Sequence, residues 1–162
     1  MKSAVPSSET RVAPSRANTP LPQGRIVIVV SRYHSDLCDK LAAGALDTLA
    51  AAAAKVQIVR VPGAWELALA TGKALASPDV MAAIALGIVI RGETSHDEHI
   101  NRAVSMALMQ LSLDSKKPVG FGLLTCNNLE QAVARSGGAV GNKGEEAAAA
   151  VLEMLQLLQV PF

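Results

Sequence analysis

Gly87-Ile88-Val89-Ile90-Arg91-Gly92-Glu93-Thr94-Ser95-His96 is an apolar run that turns polar within a few residues, and it sets how the rest of the 162-residue chain is read. Val80 to Ile90 is almost wholly aliphatic or Ala, the composition of a central parallel strand buried on both faces. Arg91-Gly92 makes a turn. Ser95-His96-Asp97-Glu98 then has the pattern of a capping box, with Ser95 as N-cap, and predicts a helix to about Leu113. His96 falls in the first turn of that helix, beside backbone N–H groups that have no partner inside it. In open α/β sheets ligands bind there, at the carboxyl ends of the strands.

Upstream, Gly24 to Val30 is a second strand, apolar and β-branched from Ile26 on, ending at Ser31-Arg32-Tyr33-His34. A helix is predicted from about Asp36 to Ala54, with Leu37, Leu41, Ala45 and Leu49 as its core stripe. Val56 to Val61 is a strand closed by the turn dipeptide Pro62-Gly63, and a helix follows from about Trp65 to Ala76. Downstream, the helix after His96 has an apolar face of Ile100, Val104, Ala107, Leu108 and Leu111, with Met106 and Met109 beside it expected as packing filler. Pro118 to Leu124 is the fourth strand, ending at Thr125-Cys126-Asn127. Two further capping boxes start at Asn128 and Asn142, the first opening a short helix to about Arg135 and the second a long one to about Gln159. Ser136 to Gly141 between them is a glycine-rich turn. The alternation of strand and helix predicts a three-layer α/β/α sandwich around a parallel sheet of four or five strands.

The length suits one domain over residues 24–162. Residues 1–23 hold Pro6, Pro14, Pro20 and Pro22 among small polar residues and are predicted to be a flexible arm. Net charge is +1 with Lys and Arg scattered, which argues against a nucleic-acid groove or a basic membrane face. Cys38 and Cys126 belong to no paired motif, so a metal site is not expected and a reducing compartment is. With no apolar run of spanning length and no secretory pattern, the cytoplasm is the expected location.

Two motifs carry less than they suggest. Gly141-Asn142-Lys143-Gly144 has no Ser or Thr after its Lys, and Gly120-Phe121-Gly122 lies within a strand; neither is a nucleotide fingerprint. The strand ends are more informative. Tyr33 and His34, Gly63 to Glu66, Arg91 to His96, and Thr125 to Asn128 share one rim, because parallel strands end on the same side. Aromatic residues are scarce (Tyr33, Trp65, Phe121, Phe162), yet the first three sit at or near strand ends. Rings for stacking, Glu66 for accepting from hydroxyls, a helix start with cations for an anion, and His96 for moving protons suit a planar polyhydroxylated ligand together with a phosphorylated one.

Val61-Pro62-Gly63-Ala64-Trp65-Glu66, Ala85 to His96, Gly122-Leu123-Leu124-Thr125 with Glu130-Gln131-Ala132, and Gly141-Asn142-Lys143-Gly144 with Glu146-Ala147-Ala148 occur in an order and spacing that resembles the 6,7-dimethyl-8-ribityllumazine synthases, from about Gly24 to Leu158. The resemblance implies a flavodoxin-like fold and the penultimate step of riboflavin biosynthesis. In that step 5-amino-6-(D-ribitylamino)uracil condenses with 3,4-dihydroxy-2-butanone 4-phosphate through a Schiff base, without metal or redox cofactor. It implies that Tyr33 stacks on the uracil ring, that Ala64, Trp65 and Glu66 hold the ribityl chain, and that backbone groups of Ile88, Val89 and Ile90 read the uracil edge. Glu93, Thr94 and Arg135 would bind the phosphate with Lys143 nearby, His96 would transfer protons, and Phe121 and Arg135 would come from a neighbouring subunit.

The same resemblance implies homopentamers and, in many members, twelve pentamers closing into an icosahedral 60-mer. The short loop from Arg135 to Gly144 is like that of shell-forming members, whereas Pro14, Pro20 and Pro22 make the N-terminal arm a poor added strand. Two stretches depart from the family: Tyr33-His34 stands where Phe-Asn is usual, and Asp97-Glu98-His99 where aromatic-Asp-aromatic is usual. The second change removes aromatic packing behind His96. A flavin or lumazine carrier without turnover is the alternative that these changes leave open, and an unrelated flavodoxin-like module is a further one.

Overall fold

Residues 20–161 are described by the computed structural model of the chain. Strands β1 (Arg25–Ser31), β2 (Lys55–Val61), β3 (Val80–Ile90) and β4 (Val119–Cys126) form one parallel sheet in the order β2-β1-β3-β4. Helices α1 (Ser35–Ala51), α2 (Leu67–Leu75), α3 (His96–Ser115), α4 (Leu129–Arg135) and α5 (Lys143–Leu157) follow the strands. The inner strands are β1 and β3, and that position accounts for their lack of a polar face. Ile26, Ile28 and Val30 join Ala82, Ile84, Leu86 and Ile88 in a core shared with α1 and α5. Val27, Val29, Ala83 and Ala85 point the other way, into a core shared with α2 and α3. The sheet is therefore the middle of three layers, as predicted, with four strands.

Strand β2 is an edge and reads differently. Lys55, Gln57, Ile58 and Arg60 along it are exposed, and Arg60 pairs with Asp39 of α1. Helix α1 stops at Ala51 rather than Ala54, because Ala53 takes a left-handed conformation (φ 54) and the N–H groups of Ala52 and Ala54 turn back to Leu49. Helix α2 starts at Leu67 rather than Trp65, since Gly63 to Glu66 form a tight turn in which the Gly63 N–H donates to Oε2 of Glu66 (2.9 Å).

The three predicted caps do not fare alike. Asn128 accepts from the Gln131 N–H, and Asn142 accepts from Gly144 and Glu145. Ser95 occupies the N-cap position of α3 but its side chain makes no capping bond. The glycine-rich turn is a small antiparallel hairpin, β5 (Ser136–Gly138) with β6 (Gly141–Asn142), and Gly141 supplies the positive φ of 103 that it needs. Gly144 allows α5 to lie against α1, for a side chain there would collide with the Leu41 carbonyl.

Met106 and Met109 are not packing filler. They are 73% and 63% exposed, because the buried face of α3 is confined to Val104 and Leu108 and the methionines project from the outer side with Leu113. Most of the predicted N-terminal arm lies outside the described residues, as does Phe162. Of its described end, Leu21 packs against the α1/α5 core and the Pro20 carbonyl accepts from Nε2 of Gln159 (3.2 Å). Among the described residues no helix is long and apolar enough to cross a membrane.

Candidate functional site

A cavity of about 440 Å³ opens at the carboxyl ends of β1, β2 and β3. Tyr33 and His34 line it from the β1–α1 turn, and Gly63, Ala64, Trp65 and Glu66 from the β2–α2 turn. Ile88, Val89, Ile90, Gly92 and Thr94 come from the end of β3, and His96, Asp97 and Ile100 from α3. Residues 33 and 96 are far apart in the chain but share this rim, because β1 to β4 run in one direction and β1, β2 and β3 end together.

Each wall has a local cause. Beyond its last pairing with β1, Val30 with Leu86, β3 continues for four residues that pair only with β4, so one edge of Gly87 to Ile90 has no strand beside it. A planar group with donors and acceptors on its rim can dock there as a further strand would. Glu66 is half-buried, with Oε2 occupied by the Gly63 N–H, and its other oxygen makes no hydrogen bond among the described residues. That oxygen is available to accept from a hydroxyl. Tyr33 and Trp65 leave large aromatic surfaces exposed on the rim, 67% and 59% of each residue. The rings of Tyr33 and His34 meet edge to face, with centroids 4.9 Å apart.

His96 is the first residue of α3 and is exposed to the cavity. Since Ser95 does not cap the helix, the first-turn N–H groups of α3 are not taken by its side chain and can face an anion. Ile100 follows His96 by four residues, one helical turn, and puts an apolar surface behind it. Gly92 belongs to the expected rim segment Arg91 to His96, whereas Asp97 and Ile100 were not singled out from the sequence as site residues. For Ile100 the helical spacing from His96 was the available signal.

Other candidate residues lie elsewhere. Glu93 is exposed beside Gly92 and Thr94 but does not line the cavity. Thr125 to Asn128, expected on the same rim, are absent from its lining: β4 lies beyond β3, on the side away from β1 and β2. Phe121 of β4 is 45% exposed and lines a different cavity of about 430 Å³ together with Lys143 and Glu146. Lys143 donates to Oε2 of Glu146 (2.7 Å). Arg135 ends α4, exposed, its Nη1 reaching only the Gln131 carbonyl (3.4 Å) among the described residues. One chain thus assembles the rings, the carboxylate and the imidazole at one cavity, while Phe121 and Lys143 line another and Arg135 lines neither.

Two thiols lie in the core close to the strand ends. Burial, reinforced by Asp39, pushes Cys38 up to about 11, and burial also raises Cys126, opposed by Arg135. Both are unpaired and buried.

The family model for 6,7-dimethyl-8-ribityllumazine synthase matches residues 23–159. A protein of that name from Rhodopirellula baltica is 58% identical over 140 residues, 85% of this chain and 90% of the relative. Those from Aquifex aeolicus and Stenotrophomonas maltophilia are 42% and 44% identical, each over 138 residues, 83% of this chain and 90% and 89% of the relative. The match spans every strand, every helix and the whole of the cavity lining, and by it the chain belongs to the 6,7-dimethyl-8-ribityllumazine synthase family.

Proposed function

We propose that the cavity at the ends of β1 to β3 holds 5-amino-6-(D-ribitylamino)uracil, and that Phe121, Arg135 and Lys143 of a neighbouring copy complete the site for 3,4-dihydroxy-2-butanone 4-phosphate. The reaction is that of the family: these two substrates condense to 6,7-dimethyl-8-ribityllumazine with loss of phosphate and water, the penultimate step of riboflavin biosynthesis. One observation carries the division of labour. Tyr33, Trp65, Glu66 and His96 line one cavity, while Phe121 and Lys143 line another.

Each role follows from chemistry. Tyr33 stacks on the flat uracil ring, and the unpaired edge of Ile88, Val89 and Ile90 reads the ring's donors and acceptors. Ala64 and Trp65 flank the ribityl chain, and Glu66 accepts from its hydroxyls. Glu93 and Thr94 approach the phosphate at the start of α3, where free N–H groups meet it, and the neighbour's Arg135 supplies the forked cation with Lys143 beside it. Attack of the 5-amino nitrogen on the ketone carbon releases water and forms an imine. Loss of the proton from the hydroxyl-bearing carbon expels phosphate and leaves an enol, which tautomerises to a ketone; attack of the ribityl-bearing nitrogen on that carbonyl closes the ring with loss of water. Each step moves a proton, and His96 stands where it can take and return one. Holding two substrates in line does the rest, without a protein nucleophile.

A homopentamer supplies the neighbour, and the 60-mer is its closed form. Exposed Met106, Met109, Leu113 and Leu69 support self-association, because contact with a second copy would take their apolar surface from water. Residues 24–162 act as one domain, with residues 1–23 as an arm. The two unpaired thiols support a cytoplasmic location.

The test has two stages. Purified protein with both substrates is followed by lumazine fluorescence against a protein-free control, because the condensation proceeds slowly unaided; a rate equal to the control favours an idle carrier. His96→Ala and Arg135→Ala chains are then co-expressed and compared with each variant alone, at butanone phosphate levels below the KM of the arginine variant. Mixed assemblies contain some sites with both residues intact and recover activity. No recovery in assembled mixtures would place Arg135 outside the site.

A further inference from the structure

We propose that Ser31 and Cys38 are positioning residues for the pyrimidine substrate: they hold the backbone of Tyr33 from two sides and so fix where its ring stands on the cavity rim. The inference rests on the reading of Tyr33 as the ring that stacks on the uracil.

The side chain of Tyr33 has little to hold it. It is 67% exposed, the one aromatic ring recorded against it among the described residues is the His34 imidazole, and its hydroxyl makes no hydrogen bond among the described residues. Its place must therefore come from the main chain, which here is neither strand nor helix and passes at once into the left-handed conformation of His34 (φ 56). Both polar groups of the Tyr33 backbone are held by side chains. Its N–H donates to Oγ of Ser31 and its carbonyl accepts from Sγ of Cys38, each at 3.2 Å.

The two holders are anchored in regular structure. Ser31 is the last residue of β1 and Cys38 lies in the first turn of α1, and both are fully buried. The turn between them closes on itself, for the His34 carbonyl accepts from the N–H groups of Leu37 and Cys38 at 3.1 and 3.0 Å. A thiol raised to about 11 keeps its proton at neutral pH and so remains a donor. Ordering an exposed ring on its ligand costs affinity, and a backbone fixed beforehand lowers that cost.

Kinetics of Cys38→Ala, Ser31→Ala, Cys38→Ser and Tyr33→Ala test this. Cys38→Ala and Ser31→Ala each raise the KM for ribitylaminouracil about two- to fivefold, as loss of one modest hydrogen bond would. The kcat and the KM for butanone phosphate stay unchanged. Cys38→Ser, which keeps a donor at the same place, returns the KM close to its original value; general loosening of the core would not be rescued in this way. Unchanged KM values in both alanine variants, with a raised KM in Tyr33→Ala, overturn the clamp and leave the stacking role standing. If Tyr33→Ala is itself without effect, the stacking role fails and the clamp with it. Ser31→Ala carries the test should Cys38→Ala not fold.

Discussion

The side-chain amide of Asn142 donates to the carbonyl oxygen of Lys40 at 2.8 Å, while its Oδ1 accepts the N–H groups of Gly144 and Glu145. One residue thus caps α5 and ties it to the middle of α1. Asn142→Ala removes both functions and is expected to cost about 1–3 kcal/mol of stability. Asn142→Asp keeps the acceptor and loses the donor, so its loss is smaller. Urea unfolding at fixed protein concentration measures both; an unchanged Asn142→Asp would show that the tie to Lys40 contributes nothing, and equal losses would show the same of the cap.

His96→Ala is expected to lower kcat by about tenfold or more, since a positioned proton-transfer group is typically worth at least that. Stability should change by no more than about 0.5 kcal/mol, because His96 is an exposed side chain at a helix start. Steady-state kinetics and urea unfolding on the same preparation separate the two. A misfolded variant would mean that the imidazole is structural.

Arg135→Ala is expected to raise the KM for butanone phosphate at least tenfold, with a smaller change in the KM for ribitylaminouracil, because a forked guanidinium is lost from a phosphate and not from the ring pocket. The exposure of Arg135, with no carboxylate bound to it among the described residues, predicts little change in stability. Equal changes in both KM values would contradict a phosphate role.

Cys38 is raised from 9.0 to about 11 by burial, and Cys126 is raised for the same reason. Well below pH 9.0 both thiols are protonated whether the chain is folded or not, and they contribute nothing to the slope. Above it the unfolded chain gives up its protons first, so stability falls as pH rises towards 11. Cys38→Ala/Cys126→Ala protein should show a shallower fall over that range by urea unfolding. An identical slope would show that the thiols are not responsible.

The layers were legible because burial writes itself into sequence. Strand β3 is covered on both faces and its sequence is apolar throughout, whereas β2, at the edge, is interrupted by the exposed Lys55, Gln57 and Arg60. The rim was legible through strand direction: Tyr33, Glu66 and His96 were placed together correctly from that alone. Thr125 to Asn128 were misplaced on it, since strand order depends on contacts between distant segments and not on local pattern. The empty cap at Ser95 escaped for a related reason. A capping pattern permits the bond, but the backbone leaving β3 decides whether the side chain can reach it. Ser31 and Cys38 look like ordinary strand and helix residues, and only the close turn around His34 gives them a second task.

Phe121 and Lys143 open on a surface away from His96, and that separation has a consequence for how activity arises. Under the shared-site reading, acquiring structure and acquiring competence are distinct events with different kinetics. The first is unimolecular and indifferent to how much chain is present, and the second rises with a higher power of concentration. Freshly made subunits at low abundance would be intact yet silent, and catalytic output would then lag behind synthesis by the time that encounter requires.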